Sequence, residues 1–221
     1  MKSILKKAAA KLPTEIQAEL KRYYFWSLIR YGKFESTEPE YLILKKFLKP
    51  GDWSIDVGAN VGHYSALISN LVGPNGRVIA FEPVPDTFAL LSANTSRLPF
   101  KNVTLINSAV SDCTSCMGME IPNFESGLKN YYRAHLTADG GALSVLSLSV
   151  DSLCISNPIR LIKIDAEGHE YQVLFGAQRT IKNSHPLIIV EGKCKRVESL
   201  MSSLGYRYRE LRNSPNRIFE H

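Results

Sequence analysis

Long apolar runs are the first thing this sequence lacks: nowhere do about 18 apolar residues stand together, the length that a membrane-crossing helix needs. Cysteine is scarce as well. Cys113, Cys116, Cys154 and Cys194 are the only four in 221 residues, too few for a disulfide-stapled scaffold. Cys113 and Cys116 form a CxxC, but neither a second CxxC nor a His pair follows at zinc-site spacing, so all four read as free thiols of a reducing compartment. The opening MKSILKKAAAKLP carries the lysines of a secretion signal with no apolar run behind them, and the expected location is the cytoplasm. The dinucleotide fingerprint GxGxxG and the Gly-Lys-Ser/Thr of a P-loop are both missing. So are internal repeats and low-complexity tracts.

With 44% apolar residues, the chain is long enough to bury one good core. Its net charge of +6 is uneven: the first fifty residues are basic, residues 51–192 are acidic, and the remainder is basic again. Basic flanks of this kind attract phosphates, anionic lipid or nucleic acid, or simply keep the surface solvated. From Ser3 to about Tyr31 apolar residues recur at helical spacing, and Pro13 splits the stretch into two helices. A second amphipathic stretch, Glu40–Leu48, ends at Pro50-Gly51. Residues 1–50 are therefore read as an N-terminal helical extension and 51–221 as one domain.

After Gly51 short apolar runs alternate with helical ones. Strands are expected at Trp53–Val57, Arg77–Phe81, Val103–Asn107, Leu161–Ile164 and Leu187–Val190. Helices are expected near His63–Leu71, Asp86–Leu98, Glu170–Ile181 and Arg196–Leu204. Continuously apolar strands separated by helices imply an α/β doubly wound, mostly parallel sheet covered on both faces. Residues 117–149 read as an insertion with two further strands around a loop, placed where such loops bind or cover substrate. Gly205–His221 reads as a terminal β-hairpin.

The strand Trp53–Val57 runs into Gly58-Ala59-Asn60-Val61-Gly62. So tight a turn needs glycine, and the helix that follows offers free N–H groups to a phosphate or a ligand carboxylate. Glu82 ends the next strand. In this topology it lies across the crevice from the turn, where a carboxylate can accept both hydroxyls of a ribose. Asp165 and Glu167 follow the strand LIKI directly and are expected at the same rim, while His169 and Glu170 open the next helix. They could orient a ligand amino group, act as general base toward a hydroxyl, or hold a divalent cation. Glu191, which ends PLIIVE, points to that rim too.

The run SIDVGANVGHYS, the segment FEPVPDTFALLSANTS, SAVSD at Ser108–Asp112, and LIKIDAEGHEYQVLFGA with PLIIVE together resemble the FkbM family of S-adenosylmethionine (SAM)-dependent methyltransferases over roughly residues 38–191. The resemblance implies a class I, Rossmann-like, seven-stranded methyltransferase that uses S-adenosyl-L-methionine to O-methylate sugar or polyketide hydroxyls. Carried over by position, Asp56, Gly58, Asn60 and Gly62 form the cofactor turn and Glu82 binds the ribose. Ser108 and Ala109 lie along the adenine, Asp165 to His169 lie near the methyl group, and Glu38 faces the cofactor. Asn60 stands where many SAM enzymes have a second glycine, but FkbM-like sequences also read GAN there.

A sugar hydroxyl is a poor nucleophile at neutral pH. His169 is the first choice of base because its ordinary pKa is about 6.5, with Glu167 or Asp165 second. No metal is assigned, although Asp165, Glu167 and Glu191 keep a magnesium-assisted variant open. The expected partner is a small-molecule or glycan acceptor, with peripheral membrane contact open to the basic N-terminal helices. Two rivals remain. One is a nucleic-acid methyltransferase, against which stand an insertion without a basic stripe and the absence of an Asn/Asp-Pro-Pro-aromatic motif. The other is a non-catalytic SAM-binding or membrane-surface module.

Overall fold

The structure is a computed structural model that describes residues 12–125, 127–137 and 140–221. The helix expected before Pro13 falls outside the described residues. After Pro13 come α1 (Thr14–Arg30) and α2 (Glu40–Phe47). Then strand and helix alternate: β1 (Trp53–Val57), α3 (His63–Val72), β2 (Arg77–Phe81), α4 (Pro85–Thr95) and β3 (Val103–Ile106). The second half adds β8 (Ile159–Ile164), α5 (Glu170–Phe175), α6 (Gln178–Ser184), β9 (Leu187–Glu191) and α7 (Lys195–Ser203), and closes with the hairpin β10 (Arg207–Glu210) and β11 (Asn216–Glu220).

These strands form one seven-stranded sheet in the order β10-β11-β9-β8-β1-β2-β3. The five strands from β9 to β3 are parallel, and the terminal hairpin adds two antiparallel pairings, β11 with β9 and β10 with β11, so that β11 alone runs against the rest. The chain builds outward from β1 to β3, then returns to β1's other side through β8. The topological switch therefore lies between β1 and β8, where α/β sheets open a crevice at their carboxyl ends.

Side-chain alternation explains why both faces are covered. Ile162 and Ile164 of β8 and Ile188 and Val190 of β9 point to one apolar cluster, with Val173, Leu174, Ile181, Val197 and Met201 from α5, α6 and α7. Leu161, Leu187 and Ile189 point the other way, against Leu44 of α2 and Ile68 and Val72 of α3. Lys163 occupies that second face, where the period calls for an apolar residue. Helix α1 lies over α4 through Phe25, which packs with Phe34, Val61, Ala66, Leu90 and Leu98. Among the described residues no helix is long and apolar enough to cross a membrane.

Most element boundaries shift by two residues or fewer, and three features differ from the sequence reading by more. The single helix expected over 170–181 is two. Gly176 sits against the Ser111 carbonyl so closely that a Cβ there would overlap it, and the chain turns at that contact. Helix α4 stops at Thr95, whose Oγ1 donates back to the Leu91 carbonyl at 2.9 Å and draws a carbonyl away from the ladder. The insertion holds more strand than expected. β5 (Ser115–Glu120), β6 (His135–Thr137) and β7 (Leu143–Leu148) form a second sheet with β4 (Ala109–Val110), ordered β4-β7-β5-β6. Its polar alternation, with one buried face on Met119 and Val145, masks the strands in a search for continuous apolar runs.

Gly62, the residue before α3, has φ +96, and a Cβ there would stand 2.8 Å from Leu91 Cδ1. Gly62→Ala is expected to cost about 1–3 kcal/mol through the left-handed backbone and the lost space. It should show as a lower urea midpoint at unchanged slope.

Candidate active site

Four strand ends converge on the switch point. Gly58 and Ala59 follow β1 and donate their N–H groups to Phe81 O at 3.1 and 2.8 Å, while Asp165 after β8 donates to Val57 O at 3.1 Å. Gly58 has φ +73, and any side chain there would overlap the Asp165 carbonyl oxygen, so only glycine lets the two loops meet. Asn60 takes φ +50, a left-handed conformation that asparagine tolerates better than most residues. That bend aims its N–H at Glu82 Oε2, 2.9 Å away.

Glu82 is 5% exposed, and its other oxygen accepts from Val84 N at 3.0 Å. Burial raises its pKa to about 7 against the pull of these two backbone donors. Each oxygen retains a lone pair, and the residue lines a cleft enclosing about 650 Å³ of empty space, part of it open to solvent. Gly58, Asn60, Ser108, Ala109, Asp165 and Glu167 line it as well. The insertion supplies the opposite wall through Met119, Tyr131, Tyr132, His135 and Leu136.

Lys163 compensates the acidic side of this cleft. Its ammonium is 2.9 Å from Asp165 Oδ2 and 4.9 Å from the centre of the Tyr64 ring. Its Cα partner across the β1–β8 pair is Asp56. Asp56 is fully buried, takes one hydrogen bond from Ser65 Oγ at 2.6 Å, and has no hydrogen-bond partner for Oδ1. Burial works against the lysine charge, but Asp165 and Asp56 outweigh it and raise the Lys163 pKa. Burial raises Asp56, with Lys163 opposing it. Asp165 moves below its ordinary value: burial opposes this, while Lys163 and a hydrogen bond with Glu191 carry it. Glu191 moves up because of that bond first and burial second.

The residues picked out in the sequence divide on this geometry. Gly58, Asn60, Glu82, Ser108, Ala109, Asp165 and Glu167 reach the cleft. Asp56 and Gly62 lie behind it: the first faces Lys163 and Ser65, the second packs under Leu91. Glu38 does not line the cleft; it accepts a hydrogen bond from the Tyr64 hydroxyl and so joins the Lys163 cluster from behind. His169 does not line it either. Its Nε2 lies 2.8 Å from Ser111 Oγ, and its backbone begins α5. Burial pushes the His169 pKa down. Glu170 folds back to accept from Gly168 N at 2.9 Å, the ordinary work of a helix start. Glu167 has φ +47, which strains a residue with a Cβ and holds it at the rim. Burial raises its pKa, helped by the charges of Asp165 and Glu170.

The sequence reading missed Lys163 and the insertion's Tyr131, Tyr132 and His135. A lysine inside LIKI breaks the apolar run, and that was the available signal.

This donor set suits a nucleoside with an amino-acid tail. Glu82 offers paired acceptors for a ribose diol, the ionised Asp165 an anion for an ammonium group, and Ala109, Val110 and Val84 an apolar ledge for a base. Asp165, Glu167 and Glu191 also bring one carboxylate oxygen each within 4.8 Å of one another, a spacing that a divalent cation could bridge.

Comparison with known proteins places the chain in a family. The family described as the methyltransferase FkbM domain matches residues 56–208. The hexuronic acid methyltransferase AglP of Haloferax volcanii is 28% identical over 137 residues, covering 61% of this chain and 53% of its own. The chain thus spans about half the length of that relative. The 31-O-demethyl-FK506 methyltransferase FkbM of Streptomyces tacrolimicus is 50% identical over 50 residues, 23% of this chain and 19% of its own. Among solved structures, methyltransferase FkbM of Methylobacillus flagellatus superposes with a TM-score of 0.56 at 17% identity, over 83% of this chain and 50% of that one. The likeness establishes a class I methyltransferase fold.

Glu82 yields a pH prediction. The fold favours its neutral form, so it contributes stability below its ordinary value that is lost as pH rises through about 7. Hydroxyl donors favour the ionised form. SAM should therefore bind more tightly as pH rises from 6 to 8, with proton release at the lower end. Titration calorimetry in buffers of different ionisation enthalpy measures both, and Glu82→Gln should abolish the proton release.

Proposed function

We infer that this chain, which belongs to the FkbM family of SAM-dependent methyltransferases, transfers a methyl group to a hydroxyl of a sugar or glycan-like acceptor. The observation that carries the reading is the pairing of Glu82 and Asp165 across the switch-point cleft, with the insertion as its far wall. The Haloferax relative, a hexuronic acid methyltransferase, supports the acceptor class.

Glu82 would hold the ribose and Asp165 the amino group of SAM, with Ser108 and Ala109 beside the adenine. Bound there, SAM supplies an electrophilic methyl group on a sulfonium. The protein's remaining tasks are to aim the acceptor oxygen in line, exclude water and take one proton. Tyr131, Tyr132 and Leu136 wall the acceptor side, where their ring and aliphatic surfaces suit the C–H face of a sugar. Glu167, on the rim and raised toward neutrality, takes the place of His169 as the first candidate base. The Ser111 bond holds the His169 imidazole elsewhere.

Lys163 already neutralises Asp165, so the site does not require a cation to hold its carboxylates together. Transfer from labelled SAM to a panel of uronic acids and neutral sugars tests the reading. Glu167→Gln should lower kcat by about 100-fold or more at unchanged SAM affinity, while His169→Ala should change it by less than about tenfold. The reverse order would return the role to His169. Activity should survive chelation.

A further inference from the structure

Helix α1 is apolar on both sides. Phe25, Leu28 and Ile29 face α4 and the core, as a surface helix requires. The opposite side carries Ile16, Leu20, Tyr23 and Tyr24, with Tyr31 one residue past the helix, at helical spacing and 47–74% exposed. A one-faced helix would place charge there. Around this stripe cationic groups outnumber anionic ones: residues 12–33 hold four Lys/Arg against two Glu, and the sequence before them adds four lysines. One of those glutamates, Glu19, is paired with Arg22 at 2.7 Å.

The stripe runs to the mouth of the cleft. Lys21 Nζ of α1 stands 4.8 Å over the Tyr131 ring, and the adjoining Tyr132 is 60% exposed. Tyr131 donates to Asp86 Oδ2 at 2.9 Å, at the start of α4 on which α1 rests. Tyr131 and Tyr132 also wall the cleft. One surface thus joins the aliphatic and aromatic side chains of α1 to the wall of the acceptor site.

We propose that the outward face of α1, together with the Tyr132 rim, docks on an anionic lipid membrane and that the acceptor hydroxyl is presented to the cleft from a lipid-anchored molecule. Tyrosines on a helix with aliphatic neighbours suit the headgroup boundary, where the ring is buried and the hydroxyl stays wet. The basic excess supplies attraction to anionic headgroups, and amphipathic insertion needs that second contribution to hold. A nucleic acid would leave Ile16 and Leu20 without a partner. The docking half of the proposal stands on this surface alone, and the acceptor half rests on the hydroxyl-methylation reading.

The test is sedimentation of the full chain with phosphatidylcholine vesicles and with vesicles that also contain phosphatidylglycerol. A triple variant, Leu20→Ser with Tyr23→Ser and Tyr24→Ser, changes only exposed side chains, and unaltered circular dichroism and SAM affinity would certify its fold. Partition should favour the anionic vesicles, weaken with salt, and fall about tenfold or more in the triple variant. Absence of sedimentation, or partition indifferent to the triple variant, would overturn the docking. A concentration-dependent dimer that the variant abolishes, without vesicle binding, would overturn it in favour of self-association. The triple variant should retain transfer to a soluble sugar while losing transfer to a vesicle-borne glycolipid. Equal transfer by both proteins to the glycolipid would overturn the acceptor half, and transfer to neither substrate by the wild type would count against the hydroxyl reading while leaving vesicle partition to decide the docking.

Discussion

One buried ammonium group holds this site together. Lys163 stands on a sheet face otherwise filled by Leu161, Leu187 and Ile189, with Asp56 across the strand pair and Asp165 two residues on. Isolated carboxylates at that depth would take up protons, because burial penalises the charged form of each. With Lys163 between them, Asp165 is held below its ordinary pKa at the cleft while its hydrogen-bonded neighbour Glu191 is raised. Tyr64 covers the ammonium, and its hydroxyl reaches Glu38, so the N-terminal segment is tied to the same charge. Breaking a buried cluster of this kind strands its remaining charges, which makes it a point of specification as well as stability.

Around that cluster the backbone makes the closest approaches. Gly58 lets the β1 and β8 loops touch, and Asn60 bends far enough to give its N–H to Glu82. The wall proposed to hold the cofactor is therefore built from strand ends. The opposite wall, proposed to face the acceptor, is a separate four-stranded sheet and a short turn bearing Tyr131 and Tyr132. That division places α1 beside the second wall.

Much of this was legible in the sequence because the signals were local. β1 and β2 have the ends that their apolar runs imply, and DVGANVG with Glu82 marks the crevice. The second sheet was less legible, since its strands alternate and its pairing of Ser115 with Ser147 is long-range. The fate of His169 was not legible at all. Its placement depends on Gly176 drawing the start of β5's approach, at Ser111, against the α5–α6 corner, a contact between residues far apart in the chain. The division of Asp165 and Glu167 at the cleft from His169 and Glu170 at the helix start was legible, and the turn at Gly168 makes it; that this turn leaves His169 outside the cleft was not.

A crystal structure with S-adenosylhomocysteine bound is the most direct measurement. Both ribose hydroxyls are expected at hydrogen-bond distance from Glu82, the amino group at Asp165, and the sulfur facing the wall formed by Tyr131 and Tyr132. A ligand seated away from the β1–β8 switch point, or a ribose without contact to Glu82, would contradict the assignment of this cleft.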